Sequence, residues 1–367
     1  MEYNPSITNL LNNYLTDNSP IIVFGAGNFG RKITGFLKGE GKNIIAVSDN
    51  NARIWNTDIL GLKVLPPSDI PLDAVVIVCI WSPENSYVQA KNQLLNIGVV
   101  NVFHVAALMQ LYPKKLLPYY HFQTSEYFLK YKNLQNEVLE LLEDEESKKQ
   151  YLAHLDCRIN LNFDGLPHAD TRNQYFPADI IQLSDKEVFL DAGAYTGDTL
   201  TDFIKRINGR FLKYLALEPD PKNLEKLNKT VSDSGLSDKI EVYEYAVGAE
   251  NCTLRFEATG GGGAGISKDG GIEVSCVKID DKFYNDAPTY LKFDIEGAEL
   301  DALAGAKQTI LTHKPTMAVC IYHLPDDLWT IPLYIKEHYP FYKLYARTHQ
   351  FDGLDFVLYA IPNTLKR

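Results

Sequence analysis

Residues 188–199 read VFLDAGAYTGDT. Val188, Phe189 and Leu190 make a short apolar run, the pattern of a parallel strand covered on both faces. Asp191 ends the run, at the carboxyl end where open α/β sheets place their ligands. Gly193 and Gly197 allow backbone angles and close approach that a Cβ would block. Asp198 or Thr196 is placed to cap the helix that follows. A strand–DxGAxxGD–helix unit of this kind makes a pocket of backbone N–H groups with one carboxylate at its lip. Alone, it is also what any βα turn of an α/β protein offers.

The next β-unit sharpens the reading. Leu215-Ala216-Leu217 is a second apolar run, and Glu218 ends it. A carboxylate at the tip of the second strand accepts both hydroxyls of a ribose, at about 1.5–3 kcal/mol for each charge-assisted bond. Asp191 stands where a phosphate would otherwise go, and it would repel a pyrophosphate. The pocket therefore favours a nucleoside carrying a cation and an amino acid, and S-adenosylmethionine is such a ligand.

Further along, Pro219–Asp220 opens a helix, and Lys239–Tyr245 is a third strand running into Ala246-Val247-Gly248, placed to flank an adenine. Cys252–Glu257 and Ile272–Lys278 are strand-like and are joined by 259–271, TGGGGAGISKDGG, read as a mobile flap over the site or as a plain hairpin loop. Tyr290–Phe293 is a fourth strand ending at Asp294-Ile295-Glu296-Gly297, with a helix over Glu299–Ile310. Thr316–Tyr322 is a fifth, ending at His323, and Phe341–Arg347 and Asp355–Ile361 close the sheet. Alternation ending in a hairpin is the α/β layout of a seven-stranded class I methyltransferase sheet. It collects Asp191, Glu218, Asp294, Glu296 and His323 along one edge.

His323 is the candidate catalytic base. With an unperturbed pKa near 6.5, a neutral imidazole takes a proton from an attacking hydroxyl, a contribution of about 10²–10⁴-fold; alignment supplies most of the rest. The plainer alternative is a strand-end histidine satisfied by hydrogen bonds. Asp294 and Glu296 orient His323 or the acceptor, or hold Mg²⁺ with Asp191. Two carboxylates alone do not specify a metal, so no metal ligand is assigned.

Upstream, residues 1–110 read as a small Rossmann-like domain of perhaps four strands. Ile21–Phe24 runs into Gly25-Ala26-Gly27-Asn28-Phe29-Gly30, and a second strand over Asn43–Ser48 ends at Asp49. Gly25, Gly27, Gly30 and Asp49 match the dinucleotide fingerprint. The stretch 47–65 resembles the N-terminal domain of bacterial sugar acetyltransferases that grips a nucleotide-linked sugar. Donor binding, a structural role and NAD(P) binding stay open. Residues 111–186 read as a connector, helical over Glu126–Leu155, with the acidic run 143–146 a solvated face. Its end, 156–179, lacks periodicity and is the lid or acceptor wall, or an ordinary packed connector. Arg158, His168, Arg172, Gln174 and Tyr175 are its substrate-contact candidates.

The whole chain sets bounds. Its 367 residues suit two domains, and 45% hydrophobic content supplies cores. A net charge of −11 argues against nucleic acid or an anionic membrane surface as partner. The five cysteines are scattered without a CxxC pair, as in a reducing compartment. MEYNPSITNL has no basic or apolar signal region, and the apolar run Ala74–Trp81 is too short to span a bilayer. A cytoplasmic protein without membrane insertion is expected. A homodimer stays open.

Residues 188–199, LALEPDP (215–221), YAVG (245–248), LKFDIEGAELDALAGA (291–306) and IYHLPDDLW (321–329) together resemble the FkbM family of S-adenosylmethionine-dependent methyltransferases. The resemblance covers residues 187–367 and implies O-methylation of a sugar, glycolipid or small secondary metabolite. It implies that Asp191, Gly193, Ala194, Gly197 and Asp198 line the methionine part of the cofactor, that Glu218 holds the ribose and that Ala246 flanks the adenine. Asp294, Glu296 and His323 would face the acceptor. The added N-terminal domain looks like the arrangement in bacterial surface-polysaccharide clusters, which implies a glycan precursor or nucleotide sugar as acceptor. The rivals are an NAD(P)-dependent oxidoreductase using Gly25–Asp49 and a non-catalytic binding protein of glycan assembly.

Overall fold

The computed structural model describes residues 3–80, 85–258, 260, 265–266 and 270–363. By internal contacts the chain forms two units. One comprises Met1–Lys132, Lys149–Ala169 and Gln350–Leu354; the other comprises Asn133–Lys148, Asp170–His349 and Asp355–Arg367. Residues 111–186 are thus divided between the two units.

In the first unit the apolar runs become strands β1 (Ile21–Phe24), β2 (Ile44–Ser48), β3 (Asp58–Ile59), β4 (Leu62–Leu65), β5 (Val75–Val78) and β6 (Asn101–His104). The sheet order is β3-β4-β2-β1-β5-β6. All neighbours are parallel except the β3–β4 hairpin. Six strands replace the expected four, because the two strands of that hairpin are too short to show a period in sequence. β1 and β5 are buried at every position, as parallel strands between helical layers must be.

The second unit contains β7 (Val188–Ala192), β8 (Lys213–Leu217), β9 (Ile240–Tyr243), β10 (Ala246–Val247), β11 (Cys252–Glu257), β12 (Gly265–Ile266), β13 (Ile272–Val277), β14 (Tyr290–Phe293), β15 (Thr316–Cys320), β16 (Tyr342–Thr348) and β17 (Phe356–Pro362). Seven of them form one sheet in the order β16-β17-β15-β14-β7-β8-β9. β17 runs antiparallel to both β15 and β16, and the rest are parallel. The class I methyltransferase architecture expected from the sequence is therefore present. β10 to β13 form a separate small sheet.

Register explains the centre of this unit. Phe189 pairs across to Tyr214 on one side and Tyr290 on the other. The three rings stack at centroid distances of 4.9 and 4.7 Å, a cross-strand ladder that couples burial with ring attraction. Two residues further along the same strands, Lys292 lies directly opposite Asp191.

The expected helix over Glu126–Leu155 is three helices: Ser125–Lys130, Lys132–Leu141 and Glu145–Asn160. Asp144 makes the second break, since its Oδ1 accepts from Ser147 N at 2.7 Å. Its Oδ2 also meets Arg347 at 2.7 Å. The acidic run 143–146 is therefore not simply a solvated face; one of its members anchors a buried arginine. Among the described residues no helix is long and apolar enough to cross a membrane.

Candidate active site

The turn after β7 is tied down by its own backbone. Gly193 N and Ala194 N both donate to Leu217 O, at 3.0 and 2.9 Å, and Gly197 N donates to Ala194 O at 2.9 Å. Tyr195 N donates to Glu218 Oε2 at 2.9 Å. Four amides of the expected pocket are therefore already partnered, three of them holding the turn to β8 and its tip. Gly193 has φ +83, and a Cβ there would stand 1.9 Å from Asp294 O, so the turn presses against the tip of β14. Gly197, not Asp198 or Thr196, is the N-cap of the Asp198–Ile207 helix, with φ +86 and no side-chain cap.

Asp191 is not at the lip. It is fully buried, with Oδ1 2.8 Å from Lys292 Nζ and Oδ2 accepting from Tyr214 OH at 2.5 Å. Its position inside β7, opposite a lysine, turns it into half of an ion pair and removes it as a cofactor or Mg²⁺ ligand. Lys292 also donates to Gly193 O at 2.7 Å and lies 3.9 Å from Asp294 Oδ2. Burial opposes its charge, but Asp191 and Asp294 outweigh that and hold it protonated.

Glu218 stands at the tip of β8 as expected. Its Oε1 accepts from Asp220 N at 2.9 Å. Burial pushes its carboxyl up to about 7, against the pull of the Asp220 and Tyr195 amides. The Asn223 side chain is a third donor to it; a carboxylate has about four acceptor sites, so room remains for one ribose hydroxyl. Asp198 opens the first turn of its helix, its carboxyl raised by desolvation and lowered by Lys292. Ala246 begins β10 and is nearly covered.

The tips of β14 and β15 bring Asp294, Glu296 and His323 together. His323 Nε2 lies 3.3 Å from Asp294 Oδ1 and 3.8 Å from Glu296 Oε1. Its Nδ1 lies 2.8 Å from Glu299 Oε1, which also accepts from Ile295 N at 3.0 Å. Tyr175 OH donates to Asp294 Oδ2 at 2.7 Å. Burial disfavours the imidazolium, yet Glu299, Asp294 and Glu296 hold the His323 pKa well above 6.5. The neutral imidazole expected from the sequence is thus an imidazolium at neutral pH, because three carboxylates face it. Asp294 is subject to the same burial, but the His323 bond and the charge of Lys292 keep it well below the usual carboxylate range. Glu296 is raised by burial to about 7, although His323 pulls it down. Glu296 has φ +56 and is followed by Gly297 at φ +98. A left-handed glutamate costs about 1–2 kcal/mol, a strain of the kind found at functional sites.

The glycine-rich flap reaches this edge through the residues that are described. Gly260 N donates to Asp220 Oδ2 at 2.9 Å. A Cβ on Gly265 would meet Glu296 Cβ at 3.3 Å. Residues 259, 261–264 and 267–269 of the flap, and Trp81, lie outside the described residues.

The connector candidates separate. Arg158 is 1% exposed in the first unit, with Nη1 donating to His154 O at 3.2 Å. It is a packing residue of that unit and not an exposed substrate contact. His168 belongs to the same unit, its Nδ1 3.1 Å from Ala169 O. Arg172, Gln174 and Tyr175 line a recess of about 630 Å³ with Asp198 in the second unit. Sequence reasoning missed Lys292, Tyr214 and Glu299. Lys292 left a signal, a lysine inside the apolar strand YLKF. Among the described residues no group of His, Cys, Asp and Glu is arranged to hold a metal ion.

In the first unit, Gly25 has φ +109, and a Cβ on Gly30 would stand 1.7 Å from Gly25 O. A Cβ on Gly27 would meet nothing within 4 Å. Asp49 Oδ2 accepts from Ala26 N at 2.7 Å, which ties the tip of β2 to the glycine turn.

The family model of the methyltransferase FkbM domain matches residues 191–352. Among solved structures, the methyltransferase FkbM of Methylobacillus flagellatus KT is similar at a TM-score of 0.78 and 22% identity, over 95% of this chain and 92% of that one. At that identity the likeness shows a shared fold. A putative rRNA methylase of Clostridium thermocellum aligns at a TM-score of 0.35 and 12% identity, over 54% of this chain and 97% of that one, too low to bear on the fold. No curated protein matches the sequence. Residues 191–352 thus match the FkbM methyltransferase domain, and a Rossmann-like unit precedes them in the chain.

Proposed function

We propose that the chain transfers the methyl group of S-adenosylmethionine to a hydroxyl of a sugar, in a surface-polysaccharide precursor or a nucleotide sugar. The observation that carries this reading is the edge where Glu218, at one strand tip, shares a sheet with the Asp294–Glu296–His323 cluster at two others. The bound cofactor supplies a sulfonium methyl and leaves as S-adenosylhomocysteine. Glu218 holds the ribose, while the Gly193, Ala194, Tyr195 and Gly197 amides of the β7 turn already have partners. Asp294, ionised and fixed by His323, Lys292 and Tyr175, accepts the hydrogen bond of the acceptor hydroxyl and orients it. Glu296, poised at about 7, takes the proton as the oxygen bonds to the methyl carbon; a base with a pKa near the working pH is the effective one. The His323 imidazolium beside it stabilises that carboxylate pair and keeps it in place. The base assigned to His323 from the sequence thereby passes to Glu296.

The test is calorimetric titration of S-adenosylhomocysteine into wild type and Glu218→Ala, with thermal melts of both and NAD as competing titrant. Loss of one charge-assisted bond predicts a fall in affinity of about tenfold or more. Absence of binding to the folded wild type, with saturable binding of NAD, would sink the reading.

A nucleotide site in the first unit is favoured by one observation. The fold demands glycine at 25 and 30 but leaves space at Gly27, where a pyrophosphate approaches in the dinucleotide fingerprint. Nicotinamide fluorescence and uridine diphosphate titration of wild type and Gly27→Val test it.

A further inference from the structure

The recess beside Asp198 has two walls. One is the chain 171–176, and the other is a face of the Asp198–Ile207 helix that presents Asp198, Asp202, Lys205 and Arg206. Three cations and two carboxylates line it, but they are not equivalent. Arg206 pairs with Asp202 at 2.6 Å and donates to Asn173 Oδ1 at 3.2 Å and Phe176 O at 3.3 Å. It stitches the two walls together, and its charge is met. Arg172 and Lys205 are exposed and form no ion pair among the described residues. Asp198, the remaining acid, is drawn toward its neutral form by desolvation. The recess is therefore a local positive excess on a chain of net charge −11. Tyr175 is one of its lining residues, and the Tyr175 hydroxyl binds Asp294, so one side chain links the recess to the residue proposed to receive the acceptor hydroxyl.

From this we infer that the acceptor carries an anionic group, a phosphate or a carboxylate, held by Arg172 and Lys205 while its hydroxyl lies at Asp294. The inference rests on the methyl-transfer reading for the identity of the hydroxyl, but not for the anion site. A cationic recess in an acidic protein concentrates anions where they are used, and a charged donor outperforms a neutral one for either oxyanion.

The experiment uses the full chain saturated with S-adenosylhomocysteine. Inorganic pyrophosphate and D-glucuronate are titrated separately into wild type and the Arg172→Gln/Lys205→Gln variant; both positions are exposed, so folding is unaffected. Expected is binding of one probe that weakens with salt and falls at least tenfold in the variant, with S-adenosylhomocysteine affinity unchanged within about twofold. Pyrophosphate identifies a phosphate-bearing acceptor, and glucuronate a carboxylate-bearing one. Equal binding to the variant, or none to wild type, overturns the inference. So does a tenfold loss of S-adenosylhomocysteine affinity in the variant, which would assign the cations to the cofactor's own carboxylate. If S-adenosylhomocysteine does not bind wild type, the methyl-transfer reading is what fails. The same comparison without it then decides the anion site.

Discussion

Lys292 holds the site at the scale of single residues. It and Asp191 are both out of water, 2.8 Å apart. Removing one member of a buried pair strands the other charge, at a cost of about 3–5 kcal/mol. Lys292→Met is expected to lower stability by that amount in urea unfolding. The Asp191→Leu/Lys292→Met double variant is expected to recover most of it. Asp191 was legible in sequence as the end of a strand, but its role was not. Nothing local states that the strand laid beside it carries a lysine at the same level. His323 shows the same limit. Its type and place were readable, while its protonation depends on Glu299, which gave no sequence signal of its own. Two carboxyls titrate near neutrality and are read separately over one pH range, Glu218 by affinity and Glu296 by turnover. Glu218 must be ionised to hold a ribose, and burial has raised it to about 7. Below that value the affinity for S-adenosylhomocysteine should weaken by up to tenfold per pH unit, measured by calorimetry between pH 5.5 and 8. Glu218→Gln should flatten the profile. Glu296→Gln should leave that affinity in place and reduce turnover about 10²–10⁴-fold, which a methyl-transfer assay reads directly.

At the scale of elements, the strands of both units were legible wherever an apolar run exceeded three residues. The short β3–β4 hairpin was not, nor was the break at Asp144, whose partner Arg347 lies far along the chain. The glycine turns divide by what surrounds them. Gly30 permits a helix to cross β1 in contact, since a Cβ would collide with Gly25 O at 1.7 Å. Gly30→Ala is therefore expected to cost about 1–3 kcal/mol by overpacking. Gly27→Ala, with nothing within 4 Å, should stay within about 0.5 kcal/mol of wild type. Paired thermal melts of the two variants check both numbers.

At the scale of the whole molecule, buried acids set the response to pH. Burial raises Glu218 and Glu296 to about 7, and Asp352 and Asp355 to about 6. In the unfolded chain these groups lose their protons near 4. Between roughly pH 4.5 and 7 these four groups bind more protons folded than unfolded, and their share of the stability falls as pH rises, whereas His104, His154 and His349, lowered by burial, contribute the opposite slope below about pH 6.5. Asp294 and Asp144, lowered in the fold, act in the other direction only below about pH 4. Removing one raised acid isolates its share: Glu218→Gln is expected to lower the melting temperature at pH 5.5 relative to that at pH 8, compared with wild type, by differential scanning calorimetry. This behaviour was invisible in composition, where the 47 acidic residues look alike; it belongs to the few that the sheet edges enclose.

One feature of the sheet ties these scales together. A single ammonium binds Gly193 O, pairs with Asp191 and stands 3.9 Å from Asp294. The β7 turn and the tip of β14, the proposed donor and acceptor sides, are therefore referenced to the same atom. Under the proposed reaction, a displacement of that ammonium moves both flanks together. In such a machine, precision is a property of the shared mount, and loosening it slows the transfer step while both ligands still bind.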